Sequence, residues 1–156
     1  MRWDELRDAH VLKHWRVVRK WASEFYDITT SDLEVLIYLY SLDRFKSRDF
    51  ENGEYTLTWD KRRWYRLKGN GWIKVFRHGM KRNREATIYE CTYKAKKMII
   101  RIYKLLAGEE DIPVGRTSPF FKNKSYTDKV YNHSIDVFNN DPLRKGKSED
   151  DFDDEF

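Results

Sequence analysis

Between Thr58 and Lys68 the sequence places Lys61, Arg62, Tyr65 and Lys68 at spacings that share one side of a helix, with Arg63 and Arg66 at its margins. Trp64 and Leu67 fall on the opposite side, as an amphipathic helix requires. Guanidinium, ammonium and phenol groups gathered on one rigid face suit hydrogen bonding to an anion that offers many acceptors, such as phosphate oxygens and base edges. A second cationic run follows at Arg77-His78-Gly79-Met80-Lys81-Arg82-Asn83-Arg84, where Lys81, Arg82 and Arg84 suit phosphates or a narrow groove. The competing reading of either run is a solvated basic surface.

Other chemistries find little material. His10 and His14 lie one helical turn apart, but two imidazoles without a third ligand define no metal site, and none is expected. The single cysteine, Cys91, allows neither an intramolecular disulfide nor a cysteine zinc set, which points to a reducing compartment. Neither a Ser-His-Asp order, nor a phosphate-cradling glycine loop, nor a carboxylate pair stands out. The expectation is a protein that is not an enzyme and takes no cofactor.

The elements that must carry the cationic runs can be read from periodicity. Trp3 to Tyr26 reads as one long helix through Val11, Trp15, Val18, Ala22 and Phe25. Ser31 and Glu34 form a capping box for a second helix, with Leu33, Leu36, Ile37 and Tyr40 buried and an end near Arg44. Ser47 to Asn52 reads as a brief third helix stopped by Gly53, and Thr58 caps a fourth that ends at Gly69 and Gly71. Trp72 to Arg77 and Thr87 to Cys91 are β-rich runs around a polar loop, a hairpin pattern. Thr92 then caps a last helix with Ala95, Met98, Ile99, Ile102 and Leu106 on one face until Gly108. The fold class expected is α+β and mainly helical.

The order helix, helix, short helix, helix, hairpin, helix resembles a winged helix-turn-helix protein, and over residues 5 to 108 it is similar to the MarR family of regulators. The likeness is anchored by Leu67-Lys68-Gly69-Asn70-Gly71-Trp72-Ile73, which resembles that family's leucine, three residues, glycine and apolar pair after the recognition helix. Cys91-Thr92-Tyr93-Lys94-Ala95 stands where the family has leucine-threonine, two residues and glycine. The resemblance implies a recognition helix from Thr58 to Lys68 and a two-stranded wing with long flanking helices. The DNA-contacting set is then Thr58, Lys61, Arg62, Tyr65, Arg66, Lys68, Lys81, Arg82 and Arg84. The family's wing-tip aspartate and arginine are replaced here by Asn83-Arg84-Glu85, which moves the wing contacts to Arg82 or Arg84. It also implies a homodimer through Trp15, Val18, Ala22, Phe25, Ile99, Ile102 and Leu106, residues that could instead close the core of one copy.

The charge distribution divides the chain. Lys and Arg outnumber Asp and Glu by 31 to 26 overall, but residues 45 to 107 carry 17 against 6 and residues 108 to 156 carry 7 against 12. The expected organisation is a winged-helix domain over 1 to 110 and an extended polar, aromatic arm over 111 to 156, ending in the acidic run Glu149 to Glu155. That arm could bind a protein partner, and its tip could compete with DNA or simply keep the chain soluble. With no apolar run of 18 residues and no apolar signal core after Met1, a cytoplasmic protein without membrane contact is expected. The function expected is a DNA-binding transcriptional regulator that engages double-stranded DNA as a dimer. The rival is a viral (phage) structural or interaction protein of the virion, docking through the winged helix and the arm.

Overall fold

The first helical stretch breaks at His10, whose φ of 51° lies in the left-handed region that ends a helix. We describe the fold from a computed structural model over residues 2–54, 61–122 and 125–145. Helix α1 (Trp3–Asp8) and helix α2 (Val11–Tyr26) therefore replace the single helix expected over this region. Within α2 the buried positions are His14, Val18, Trp21 and Ala22. The stripe is rotated from the expected one because His14 and Trp21 take the inner face, leaving Val11 and Phe25 exposed.

Helix α3 (Thr30–Ser41) begins at Thr29 rather than at Ser31, since the Thr29 side chain accepts the Asp32 N–H at 3.2 Å. Strand β1 (Arg44–Phe45) follows, then helices α4 (Ser47–Glu54) and α5 (Lys61–Gly69). Strands β2 (Ile73–Arg77) and β3 (Ile88–Cys91) form the expected hairpin, and β1 adds an unexpected third strand. The sheet is antiparallel in the order β1-β3-β2, with Phe45 and Val75 both opposite Tyr89 and a register shift between Val75 and Arg77. Helix α6 (Tyr93–Ala107) starts where the Thr92 hydroxyl accepts the Ala95 N–H and ends at Gly108, with φ 83°. Helix α7 (Tyr126–Asn139) and helix α8 (Pro142–Lys145) complete a fold that is α+β and mainly helical. Among the described residues no helix is long and apolar enough to cross a membrane.

Among the described residues two compact units result, one within residues 28 to 100 and the other of residues up to 27 together with those from 101 to 145. The first is centred on Leu33, Leu36, Leu39, Leu67 and Met98, with the Trp64 ring 4.9 Å from the centroids of both Phe50 and Tyr89. The second buries Trp21, Ile102, Leu105, Ile135 and Phe138. The segment expected to be an extended arm is thus largely folded from Tyr126 to Lys145, because Ile135 and Phe138 supply an apolar face that an arm in water would expose. The acidic run from Glu149 lies outside the described residues.

Candidate nucleic-acid interface

The placement of α5 is decided by one carboxylate. Asp32 is buried in the first turn of α3, and Arg66 donates to it twice, Nε to Oδ2 and Nη2 to Oδ1, each at 2.7 Å. Arg63, itself buried, brings its Nε to 2.9 Å of Oδ1. A bidentate guanidinium fixes direction as well as distance, so α5 cannot turn about its axis without separating buried charges. Trp64 and Leu67 pack inward from the same side of the helix. Arg62, Tyr65 and Lys68 consequently face solvent, Tyr65 with 70% of its surface exposed. Lys68 Nζ stands 5.3 Å from the Tyr89 ring centroid, a cation held beside an aromatic face.

This geometry revises two expectations for α5. Arg63 belongs to the interior, not to the margin of the exposed face. Arg66 is partly exposed, yet its planar fork is occupied by Asp32 and is not available for bidentate recognition of a base. Thr58 and Trp59, and the side chain of Lys61, lie outside what is described. A cleft of about 360 Å³ opens beside the helix, lined by Phe50, Trp64, Tyr65, Lys68 and Tyr89 among others.

The two segments that carried the family likeness meet in space. The Trp72 N–H closes the end of α5 on the Leu67 carbonyl at 3.0 Å, while Gly71 takes a φ of 75° that a side chain would strain. The Thr92 hydroxyl donates to the Gly71 carbonyl at 2.7 Å, and the Thr92 N–H to the Trp72 carbonyl at 3.0 Å. The exit of α5 and the entry of α6 are thereby joined by hydrogen bonds, and Lys94 Nζ lies 3.9 Å over the Trp72 ring.

Beyond β2 the chain makes a single tight turn over Lys81–Asn83, with Arg84 at a φ of 52°. Lys81, Arg82 and Arg84 are all exposed there. Cys91, at the end of β3, is buried, and burial pushes its thiol up to about 12.

The residues expected to pair two copies divide differently. Val18, Ala22, Ile99 and Ile102 are 0 to 1% exposed within one chain, so they close its interior and present no face to a partner. Trp15 and Leu106 are half-buried, and Phe25 is exposed. Sequence reasoning also missed polar groups of the interior, among them His14, Asp32, Asp141 and Arg144. For Asp32 a signal existed, because it lies three, four and seven residues before the buried Val35, Leu36 and Leu39 and so sits in phase with an apolar stripe.

Set against protein-family models, curated proteins and solved structures, the chain finds no match in any of the three.

Proposed function

We propose that this chain is a cytoplasmic, DNA-binding transcriptional regulator of the winged helix-turn-helix kind. Helix α5 enters the major groove, and the turn from Lys81 to Arg84 lies on the sugar-phosphate backbone as the wing. The observation that carries the reading is the exposed set Arg62, Tyr65 and Lys68 on a helix whose other side is locked by Asp32. The α4 and α5 pair, the hairpin and α6 supply the order of elements such a module uses. Pairing of two copies on two half-sites belongs to the proposal, through surfaces other than the four buried residues.

Fluorescence anisotropy of a labelled duplex at two salt concentrations tests it. Binding should weaken steeply with salt, since each neutralised phosphate releases counterions. Arg62→Ala should cost about 1–3 kcal/mol of discrimination if its guanidinium reads guanine. Absence of binding at low salt overturns the proposal. A second reading, a docking module for another protein, is favoured by α7, where Tyr126, Val130 and Val137 share an exposed face. Under that reading duplex DNA should not bind.

A further inference from the structure

The hairpin turn contains one side chain that a phosphate-binding loop does not need. Met80 is 61% exposed at the point where the chain leaves β2, with Lys81, Arg82 and Arg84 exposed beside it. Glu85 is the sole acid between Arg77 and Ile88, so the exposed thioether belongs to a strongly cationic stretch of the chain.

The turn presenting Met80 is fastened on both sides. Its carbonyl accepts the N–H groups of Asn83 and Glu85, each at 3.2 Å, and the Arg84 N–H reaches the Lys81 carbonyl at 3.3 Å. Immediately before it, the Gly79 N–H donates to the Thr87 hydroxyl at 3.1 Å. Gly79 also packs so closely on the returning chain that an added Cβ would meet the Glu85 carbonyl oxygen at 2.1 Å. The base of the turn is therefore held by backbone contacts, while an unbranched, adaptable side chain projects from it.

We infer that Met80 is a wedge that enters the minor groove of duplex DNA and partly unstacks a base step, with Lys81, Arg82 and Arg84 holding the flanking phosphates. The inference rests on the DNA-binding reading above and deepens it, because it assigns the wing a deformation of DNA and not only a contact with it. An apolar side chain pushed between bases by flanking cations kinks a duplex by about 20–90° towards the major groove. TpA and CpA steps yield most readily, so sequence preference at the wing arises from deformability and requires no base hydrogen bond. That fits a wing without the aspartate-and-arginine pair of the resembled family. A protein pocket would also accept a methionine, but the exposed Lys81, Arg82 and Arg84 on the same turn favour a polyanion.

The test uses the full chain and a duplex of about 30 base pairs rich in TpA steps. Donor and acceptor dyes at its ends report bending, and 2-aminopurine at one TpA step reports unstacking. Wild type should raise both energy transfer and 2-aminopurine emission. Met80→Ala, a change at an exposed position, should lose both signals while the complex still forms, and Met80→Leu should restore them. Arg82→Ala should instead weaken binding with the bend of the remaining complex retained. Binding by wild type without either signal, or equal signals from Met80→Ala, overturns the wedge and leaves the DNA-binding reading standing. No binding of wild type to the duplex overturns both.

Discussion

The two units use arginine in opposite ways. In the unit of residues 28 to 100, one buried carboxylate, Asp32, gathers two guanidiniums from α5. In the other unit one buried guanidinium, Arg144, gathers the carbonyls of Leu105, Glu110, Phe138 and Asn139 at 2.8 to 3.2 Å and the Asp111 carboxylate at 2.5 Å. Leu105 lies in the last turn of α6, and Phe138 and Asn139 end α7. Arg144 thus adds donors to carbonyls at helix termini, where Leu105 also accepts the Gly108 N–H and Phe138 the Asp141 N–H, each at 3.3 Å, and its positive charge suits the negative end of each helix dipole. The first hub orients a helix. The second seals helix ends and leaves nothing for a ligand to meet, since the Arg144 side chain is fully buried. A single residue type therefore builds a directed surface in one place and a closed interior in the other.

Removing each hub should separate the two roles. Asp32→Ala removes the buried carboxylate that Arg63 and Arg66 share and should destabilise by about 3–5 kcal/mol, the range for breaking a buried pair from one side. Urea denaturation measures the loss. Among molecules still folded, duplex affinity should fall as well, because α5 is no longer held in one orientation. Arg144→Met should cost less, about 2–3 kcal/mol, because the groups it deprives of a donor are neutral carbonyls, two of which keep a backbone N–H, and an Asp111 that is half exposed and can be hydrated. Its duplex affinity under folding conditions should equal that of wild type. If Arg144→Met weakened DNA binding as much as Asp32→Ala, the division of roles would fail.

Much of the fold was readable because its signals are local. Leu67 with Gly71 marks the end of α5, Thr92 the start of α6, and the β-branched runs of the hairpin need no distant partner to be recognised. The α5 face was also readable, since Trp64 and Leu67 are apolar at helical spacing. What escaped was polar burial. Asp32, His14, Asp141 and Arg144 look like surface residues until a partner 34, 127 or 39 residues away neutralises or hydrogen-bonds them. The expected arm is folded as α7 and α8 because Ile135 and Phe138 bury an apolar face, and His14 and Trp21 rotate the α2 stripe while Val18 and Ala22 keep their place in it. Sequence reasoning also assigned Val18 and Ile102 to a dimer, whereas each is buried in one chain.

Val18 sharpens that last correction at a smaller energy. Val18→Ala removes two buried carbons and should cost about 2 kcal/mol, from lost transfer energy and the cavity left behind. Sedimentation velocity should give the same species before and after the change. A shift of wild type from dimer to monomer on this substitution would restore Val18 to an interface.

The smallest effect distinguishes the two units by pH. Asp141 accepts from His14, whose Nε2 stands 2.9 Å from Oδ2, and Lys13 Nζ lies at 3.6 Å from the same oxygen. The hydrogen bond from His14 holds the Asp141 carboxyl below its ordinary 3.8, helped by the Leu143 N–H and by the charges of His14 and Lys13, while burial opposes them. A carboxyl lowered in the folded state binds protons more readily once unfolded. Its contribution to stability is therefore fully present above 3.8 and is lost as pH falls through the lower, folded value. Thermal midpoints followed downward from neutral pH should fall more steeply for wild type than for Asp141→Asn once the pH passes below the ordinary carboxyl value. The variant starts less stable, because an amide is a poorer partner for His14 and Lys13, so the two curves should converge in acid. Parallel curves throughout would mean that Asp141 protonates alike in both states, and that the contact with His14 is one of packing, as the edge-on Phe138 ring 5.6 Å from the imidazole would then suggest.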